Sequence, residues 1–363
     1  MRLYIVAGEE SGDLYGSYLV SELLKKNSDL IIRGFGGDRM EASGVNISKH
    51  INNLAFMGFT DVLLNISKIN KNLKFCKHDI LEFNPDAIIF IDYPGFNLKL
   101  SKFAKENGIK VFYYISPKLW AWRPSRIKSI RNSVDELIVI FPFEVDYYKN
   151  LGITAHYFGN PLYEIINKSE VSNEDLIKSD KKIIALMPGS RIQEVKRILP
   201  EMIKVTNSLS DNLFVICSTD LTHDLCCSIS RDSSVKVVKN NTYSVLRSAN
   251  AALVTSGTAT LEVALMNIPQ VVCYKTDFLT YWLAKLFIKI NYISLVNIIM
   301  DRNVVNELIQ SNCTSNNILK HLKIVTNKDF RGKLLSDYSL LNKKISKGGF
   351  VSEKLSEFIL NNI

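Results

Sequence analysis

Three glycine-bearing turns hold the residues whose types and spacing are best suited to chemistry. Each follows a short apolar run: Gly8-Glu9-Glu10-Ser11-Gly12-Asp13, Pro188-Gly189-Ser190-Arg191 and Ser256-Gly257-Thr258-Ala259-Thr260-Leu261-Glu262. This pattern predicts the passage from a buried strand into a helix. A helix N-terminus presents free N–H groups and a positive dipole end, and its usual ligand is phosphate. One turn in the first half and two in the second predict two α/β units that share a cleft.

The turn at Pro188 combines groups that a phosphate needs. Gly189 permits close approach of a ligand, Ser190 is a favoured N-cap residue, and Arg191 carries a planar fork of donors. An ordinary capped helix with a surface arginine explains the same pattern. The turn by itself leaves both interpretations open.

The turn at Ser256 offers a second set of donors. Ser256, Gly257 and Thr258 supply hydroxyl and amide groups, and Glu262 lies one helical turn beyond Thr258 on the same face. A carboxylate at that place could accept two hydrogen bonds from a ribose diol. A glutamate favoured by the helix dipole is the alternative.

Asp92 is the candidate general base. It follows the apolar run Ala87–Ile91 and precedes the Pro94-Gly95 pair. Ligands of open α/β sheets sit beyond the carboxyl ends of the strands, which places Asp92 where a base is needed. Asp is also common where a strand enters a turn, so a structural role stays open.

Two tryptophans and an arginine follow the next apolar run. They are Trp120, Trp122 and Arg123. They could line the same cleft, although a group of aromatic residues is also typical of a core.

The Gly8–Asp13 turn is not a dinucleotide fingerprint. Gly8, Gly12 and Gly16 are four residues apart, whereas the fingerprint needs G-x-G-x-x-G and a later acid. NAD is therefore disfavoured. Ser11 or Asp13 capping the start of a helix explains the turn as well as a ligand does.

Short strands alternating with helices must position these residues. Nearly continuous apolar runs predict strands at Leu3–Ala7, Ile31–Phe35, Ala87–Ile91, Val111–Ile115, Leu137–Phe141, Ile183–Met187, Leu213–Cys217, Val235–Val238, Ala251–Thr255 and Gln270–Tyr274. Runs without alternation are typical of parallel strands covered on both faces. The predicted fold class is α/β, with two Rossmann-like doubly wound domains.

The domain boundary is predicted after Gly159-Asn160-Pro161, where a polar stretch follows. We expect an N-terminal domain over 1–161 and a C-terminal domain over 162–344. A C-terminal helix at about 345–363 is expected to pack back on the first domain.

Composition narrows the class of protein. The net charge of +9 favours anionic partners, whether nucleic acid, nucleotide or lipid, and a compositional bias towards lysine explains it equally. Six cysteines without C-x-x-C spacing predict free thiols in a reducing cytosol and no metal site. We expect no secretory leader, and no apolar stretch reaches the roughly 20 residues of a membrane span.

Apolar residues at helical spacing predict one amphipathic helix in the first domain. The positions are Phe59, Val62, Leu63, Ile66 and Ile69. A second apolar stretch over 278–290 is broken by Lys285 and Lys289. Apolar surface rimmed by lysine suits interfacial membrane binding, and core packing is the alternative.

Taken in order, these segments resemble the lipid-A-disaccharide synthase family over about 300 residues. The segments are Gly8–Asp13, Met57-Gly58, Ile91–Asn97, Tyr114–Pro117, Trp120-Ala121-Trp122, Pro142-Phe143-Glu144, Gly159-Asn160-Pro161, Pro188–Arg191, Ser256–Glu262, Asn297-Ile298-Ile299 and Glu307–Gln310. No single segment decides the resemblance, but the ordered set is specific.

The resemblance implies a GT-B fold and an inverting hexosyltransferase, with the acceptor side N-terminal and the UDP-sugar side C-terminal. Its reaction joins UDP-2,3-diacylglucosamine to 2,3-diacylglucosamine 1-phosphate (lipid X). The products are the β-1,6-linked lipid A disaccharide 1-phosphate and UDP, within lipopolysaccharide biosynthesis. No cofactor and no metal are implied. Because both substrates are acylated, we expect a cytoplasmic, peripheral enzyme at the inner face of the cytoplasmic membrane.

The resemblance also implies residue roles. Asp92 would be the catalytic base, and Arg191 would stabilise the departing UDP. The implied substrate or UDP contacts are Gly12, Gly189, Ser190, Ser256, Gly257, Thr258 and Glu262, followed less directly by Asn297, Glu307 and Gln310. The helix at Phe59–Ile69 would face the membrane. The chain departs from the family pattern at Gly95, where some members carry a second Asp, and at Val296 and Asn306, where Pro is common.

Two other classes remain as alternatives. Another GT-B member, such as a UDP-GlcNAc 2-epimerase or a peptidoglycan-precursor transferase, would use the same turns without needing a lipid surface. A basic nucleic-acid-binding protein would explain the charge but not the paired turns, and no nucleic-acid-binding motif is present. A C-terminal helix able to exchange between copies is compatible with a homodimer.

Overall fold

The computed structural model describes residues 1–54, 66–121, 123–169, 176–277, 281, 291–346 and 349–363. The chain divides into two compact units, Met1–Glu164 with Ile345–Ile363, and Ile165–Lys344. Each unit is a parallel sheet with helices packed against it.

The first unit contains a seven-stranded sheet in the order β3-β2-β1-β4-β5-β6-β7. Its strands are β1 Arg2–Ala7, β2 Ile31–Gly36, β3 Asn46–His50, β4 Ala87–Ile91, β5 Lys110–Tyr114, β6 Glu136–Val139 and β7 Ala155–Tyr157. Its helices are α1 Glu10–Lys26, α2 Asp38–Ala42, α3 Ile66–Phe83, α4 Pro94–Glu106, α5 Ile127–Ser133, α6 Pro142–Asn150 and, crossing into the second unit, α7 Pro161–Lys168. Short 3-10 helices lie at Ile51–Asn53 and Pro124–Arg126.

The second unit contains a six-stranded sheet in the order β10-β9-β8-β11-β12-β13. Its strands are β8 Lys182–Met187, β9 Asn212–Ser218, β10 Lys236–Lys239, β11 Ala251–Thr255, β12 Gln270–Tyr274 and β13 Asn306–Ile309. Its helices are α8 Ile192–Thr206, α9 His223–Ser230, α10 Thr242–Ser248, α11 Thr258–Leu265, α12 Leu295–Met300, α13 Ser315–Thr326 and α14 Lys328–Ser346, with a 3-10 helix at Gln310–Asn312. The last helix, α15 Val351–Asn361, belongs to the first unit.

Burial explains why the central strands were predictable and three edge strands were not. Every residue of β4 and β11 is buried, so these strands consist of continuous apolar runs. The strands that the sequence analysis missed, β3, β7 and β13, lie at sheet edges and are mostly half-exposed. An edge strand has one unpaired side and needs less apolar sequence, so its pattern is weak.

The strand order confirms the predicted doubly wound class. From β1 the chain moves to β2 and β3 on one side, and from β4 it moves to β5, β6 and β7 on the other. The switch point of the first sheet therefore lies between β1 and β4. By the same argument, that of the second sheet lies between β8 and β11. Such switch points are where open α/β sheets bind ligands.

Candidate functional site

The residues singled out from the sequence follow the four strands that flank the two switch points. Gly8 and Glu9 follow β1, while Asp92 follows β4. In the second unit, the Pro188 turn follows β8 and the Ser256 turn follows β11, and these strands pair with Met187 beside Val254. Each unit thus has its candidate groups at one crevice, and the two crevices are described separately.

The backbone around Asp92 is held in an uncommon conformation. Asp92 has φ 45° and Tyr93 has φ 47°, both in the left-handed region that residues with a Cβ rarely adopt. The Asp92 N–H donates to the Tyr114 carbonyl at 2.9 Å. The Asp92 carbonyl accepts from the Asn97 side-chain amide at 2.8 Å and from the Tyr113 hydroxyl at 2.7 Å. The main chain is therefore fixed, and the half-buried carboxylate is presented at the sheet edge.

The environment of Asp92 suits a general base. Burial raises the pKa of its carboxyl to about 6, Lys118 and Arg126 oppose that rise, and Glu9 adds to it. A base with a pKa close to the working pH combines a large deprotonated fraction with useful basicity. Because burial disfavours the charged form, ionisation of this carboxyl also lowers the stability of the folded chain.

Tyr93 accounts for the first glycine of the Gly8–Asp13 turn. A Cβ on Gly8 would lie 2.3 Å from the Tyr93 ring, so the ring occupies the space of a side chain. The Tyr93 hydroxyl donates to the Leu54 carbonyl at 3.1 Å. Gly12 is buried, and a Cβ there would lie 3.2 Å from that of Ala7. The turn therefore allows close packing of α1 on the strands, and substrate contact by Gly12 stays a prediction.

Asp13 caps a different helix from the one expected. Its buried carboxylate accepts from the N–H groups of Gly37 at 2.6 Å, Arg39 at 3.2 Å and Met40 at 3.1 Å, at the start of α2. The N-cap of its own helix is Glu9, which makes no side-chain cap bond. The expectation that Ser11 or Asp13 caps α1 was therefore wrong, because a partner distant in sequence binds the carboxylate.

Trp120 belongs to an aromatic cluster. Its indole N–H donates to the Glu144 carboxylate at 2.9 Å, and its ring meets Phe143 edge-on at 5.2 Å. The buried Glu144 also accepts from the N–H groups of Ile140 and Phe141. These contacts support the packing interpretation for Trp120. Trp122 lies outside the described residues.

The Pro188 turn presents Arg191 to solvent. Gly189 has φ 112°, and a Cβ there would lie 2.3 Å from Glu194 Oε2. Arg191 is the N-cap of α8, its side chain is 66% exposed, and its Nη1 lies 3.3 Å from Glu194 Oε1. The expectation that Ser190 is the N-cap was wrong, because the helix begins one residue later than the pattern suggested. Ser190 is exposed beside Arg191.

The Ser256 turn leaves the start of α11 open. Gly257, with φ 150°, is the N-cap, and both Gly257 and Thr258 are exposed. The Ser256 hydroxyl donates to the Ile293 carbonyl at 2.8 Å, which leaves its oxygen able to accept. The first N–H groups of a helix have no partner within it, so this end can bind an anion.

Glu262 is fixed by a residue that the sequence analysis did not identify. The Tyr243 hydroxyl donates to Glu262 Oε1 at 3.2 Å, and burial raises the pKa of this half-buried carboxyl. Tyr243 lies on α10, and no local motif links it to Glu262.

Asn297 and Glu307 hold a loop together. Glu307 accepts from the N–H groups of Ile293 and Ser294 and from the Asn297 side-chain amide at 2.8 Å. Asn297 is completely buried; its oxygen accepts from the N–H groups of Val304 and Val305, and its amide also donates to the Val305 carbonyl. The Asn297 side chain is enclosed by protein, and its expected contact with UDP stays a prediction. Through Ile293, the loop reaches Ser256.

Gln310 has a similar role. Its side-chain oxygen accepts from the Thr276 N–H at 2.8 Å, and its amide donates to the Thr276 carbonyl at 3.1 Å. These two hydrogen bonds join the segments that follow β12 and β13, as the backbone bonds between two paired strands would.

The predicted membrane helix is only partly described. Ile66 is 54% exposed at the start of α3, whereas Ile69 packs against the core. Phe59, Val62 and Leu63 lie outside the described residues, as do Met57-Gly58 and almost all of 278–290. Among the helices that the structure describes, none is long and apolar enough to cross a bilayer.

Comparison with solved structures defines the class of fold. The chain aligns over its full length with the glycotransferase of kitacinnamycin, at a TM-score of 0.71 and 10% identity, covering 99% of that chain. It aligns equally fully with a UDP-GlcNAc 2-epimerase from Neisseria meningitidis bound to UDP-GlcNAc, at a TM-score of 0.68 and 12% identity, covering 100% of that chain. With two doubly wound sheets, the protein has the GT-B fold, as the resemblance implied.

Comparison of sequences defines the family. The family model for lipid-A-disaccharide synthetase matches residues 3–361. A lipid-A-disaccharide synthase of Coxiella burnetii is 33% identical, with 99% of this chain and 98% of that protein covered. The same enzyme of Syntrophus aciditrophicus is 35% identical, with 95% and 94% covered. The chain belongs to the lipid-A-disaccharide synthase family of glycosyltransferases, which confirms the resemblance.

Proposed function

We propose that this chain transfers 2,3-diacylglucosamine from UDP-2,3-diacylglucosamine to 2,3-diacylglucosamine 1-phosphate, with inversion, and releases UDP. The observation that carries the proposal is the placement of Asp92 at the switch point of the first sheet. There its backbone is fixed from both sides, and burial raises its pKa to about 6.

Asp92 removes the proton from the acceptor 6-hydroxyl as that oxygen attacks the anomeric carbon. The bond between this carbon and the UDP oxygen breaks, and its electron pair leaves with UDP. Negative charge therefore grows on the pyrophosphate, where the exposed guanidinium of Arg191 stabilises it. Gly189 and Ser190 complete this turn.

Ser256, Gly257 and Thr258 bind the pyrophosphate through the open end of α11, and Glu262 accepts from the ribose diol. Asn297, Glu307 and Gln310 act on UDP indirectly, since their side chains bond to the loops beside these turns. Gly12 supports the acceptor side by packing α1 on the sheet.

The acylated substrates require a lipid surface. We propose that Phe59, Val62, Leu63, Ile66 and Ile69 contact the inner face of the cytoplasmic membrane as part of a peripheral enzyme. The exposed Ile66 and the neighbouring exposed lysines of α3 support this role. A homodimer formed by exchange of the C-terminal helix stays a proposal.

The test is product formation in detergent from UDP-2,3-diacylglucosamine and lipid X, with EDTA present. We expect a tetraacyl disaccharide phosphate and equimolar UDP. Protein that binds UDP but forms no disaccharide would contradict the proposed reaction. The variants Asp92→Ala and Arg191→Ala, checked for folding, should each lose most turnover.

A further inference from the structure

Three cationic side chains lie on the segment that follows β5, next to Asp92. They are Lys118, Arg123 and Arg126. Lys118 and Arg126 are close enough to Asp92 to oppose the rise of its pKa. The pKa of the Arg126 guanidinium is itself lowered, first by burial and then by the nearby charge of Arg123. The proposed mechanism assigns none of these side chains a role.

The segment that carries them is anchored at several points. The Asp92 N–H donates to the Tyr114 carbonyl, which continues the pairing of β4 with β5. The Tyr148 hydroxyl donates to the Pro117 carbonyl at 2.7 Å. Arg126 ends the 3-10 helix Pro124–Arg126, directly before α5. The main chain of the segment that carries these cations is therefore anchored at the carboxyl edge of the sheet.

The carboxylates of Asp92 and Glu144 lie within electrostatic reach of these cations. Within the described residues, neither Lys118 nor Arg126 forms an ion pair with N···O within 4 Å. Arg126 is half-buried; Arg123 lowers the pKa of its guanidinium, and the Asp92 carboxylate raises it. Arginine and lysine side chains are the usual ligands of phosphate.

We propose that Lys118 and Arg126, supported by Arg123, bind the phosphate monoester of the acceptor. This subsite rests on the proposed function, which gives the acceptor a 1-phosphate. In the acceptor sugar, C1 carries the phosphate and C5 carries the CH2OH group that reacts, and both carbons bond the ring oxygen. A hydroxyl at Asp92 therefore keeps the phosphate within about one ring width of that carboxylate, which is also the group that Lys118 and Arg126 act on.

The cluster thereby fixes which face and which end of the acceptor reach the base. An acceptor without phosphate loses this orientation, and its 6-hydroxyl samples many positions near Asp92. Productive binding of the acceptor is thus coupled to a group remote from the reacting oxygen.

The test compares two acceptors and three variants in detergent. The acceptors are 2,3-diacylglucosamine 1-phosphate and its dephosphorylated form; the variants are Arg126→Gln, Arg126→Lys and, as a matched control, Lys128→Gln on the exposed side of α5. For Arg126→Gln we expect kcat/KM to fall roughly 10- to 100-fold on the phosphorylated acceptor, mainly through KM, as for loss of a charge-assisted contact. The dephosphorylated acceptor should be used equally by both proteins. Arg126→Lys should recover part of the loss, and Lys128→Gln should match the parent.

Equal losses on both acceptors, or a parent enzyme indifferent to the phosphate, would overturn the subsite. Titration with glucosamine 1-phosphate and with glucosamine gives a readout that needs no turnover. We expect the phosphate to strengthen binding in the parent and not in Arg126→Gln. If the parent makes no disaccharide yet shows this difference, the reaction assignment fails and the phosphate subsite stands.

A membrane phosphodiester is the other source of the same chemistry. Equimolar phosphatidylcholine and phosphatidylglycerol vesicles separate the two sources. We expect Arg126→Gln to bind these vesicles as the parent does. Weaker vesicle binding with unchanged acceptor preference would assign the cations to the lipid headgroups and overturn the proposal.

Discussion

Asp92 is held in a conformation that costs free energy in order to present one carboxylate. Two successive left-handed residues, each with a Cβ, persist because Asn97, Tyr113 and Tyr114 bond the main chain of Asp92. Burial raises the pKa of its carboxyl to about 6. Base strength and loss of stability thus come from the same burial.

We therefore expect kcat/KM to rise with pH through about 6, as Asp92 loses its proton. The variant Asp92→Asn should lose roughly 10²- to 10⁴-fold in kcat, the usual contribution of a general base. A pH–rate profile of the parent and a single-turnover assay of the variant measure these effects. A flat profile from about pH 5 to about pH 8 would remove Asp92 from the proton transfer.

The same substitution should stabilise the fold, but only at higher pH. A raised carboxyl pKa means that ionisation is easier in the unfolded chain, so the parent loses stability as pH rises from its unfolded pKa through about 6. Asp92→Asn avoids this loss. We expect it to gain about 1 to 3 kcal/mol at about pH 8 and almost nothing at about pH 3, measured by denaturant unfolding. An equal gain at both pH values would contradict a titration effect.

At the scale of elements, buried side chains cap helices that begin far away in the sequence. Asp13 on α1 accepts three N–H groups around the start of α2. We expect Asp13→Ala to lower the free energy of unfolding by about 2 to 3 kcal/mol, because buried donors lose their partner. Asp38 is the matched control, since it lies in the first turn of α2 with its side chain 93% exposed. Similar losses for Asp38→Ala and Asp13→Ala in urea unfolding would contradict the capping role.

The loop from Ile293 to Asn297 is the corresponding element of the second unit. Glu307 binds its N–H groups, and its Ile293 carbonyl receives the Ser256 hydroxyl. We expect Glu307→Gln to weaken UDP binding about tenfold through a displaced Ser256, since an amide cannot accept all these bonds. Calorimetric titration with UDP measures this change. Asn306→Ala on the same strand should bind UDP normally; an unchanged affinity in Glu307→Gln would exclude the coupling.

At the scale of the whole molecule, the chain end returns to the first unit. Helix α15 packs along α1, the Ser352 N–H donates to Glu164 at 2.9 Å, and the Tyr157 hydroxyl donates to the Ile345 carbonyl at 2.8 Å. A continuous stretch of 165–344 lies between these partners and forms the second unit. The first unit therefore cannot be completed until the last residues are available.

We expect Leu355→Ala to lower the free energy of unfolding of the first unit by about 2 to 5 kcal/mol, as for other fully buried leucines. Leu355 is 0% exposed. UDP affinity should be unchanged, because the proposed UDP contacts lie in the second unit. Glu357→Ala, exposed on the same helix, is the control. Thermal unfolding with and without UDP measures both quantities, and a weaker UDP affinity would show that the helix matters to the second unit as well.

The sequence by itself determined the class of fold, the central strands, the three glycine turns and the family. These features are local: a strand buried on both faces must be continuously apolar, and the turn after it must be small. Only the tertiary structure decided what the polar side chains of those motifs do. Asp13 caps another helix, the Tyr93 ring occupies the space of a side chain at Gly8, and Asn297 is completely buried. Each of these roles depends on a partner that folding brings near, and the spacing of residues along the chain does not predict that partner.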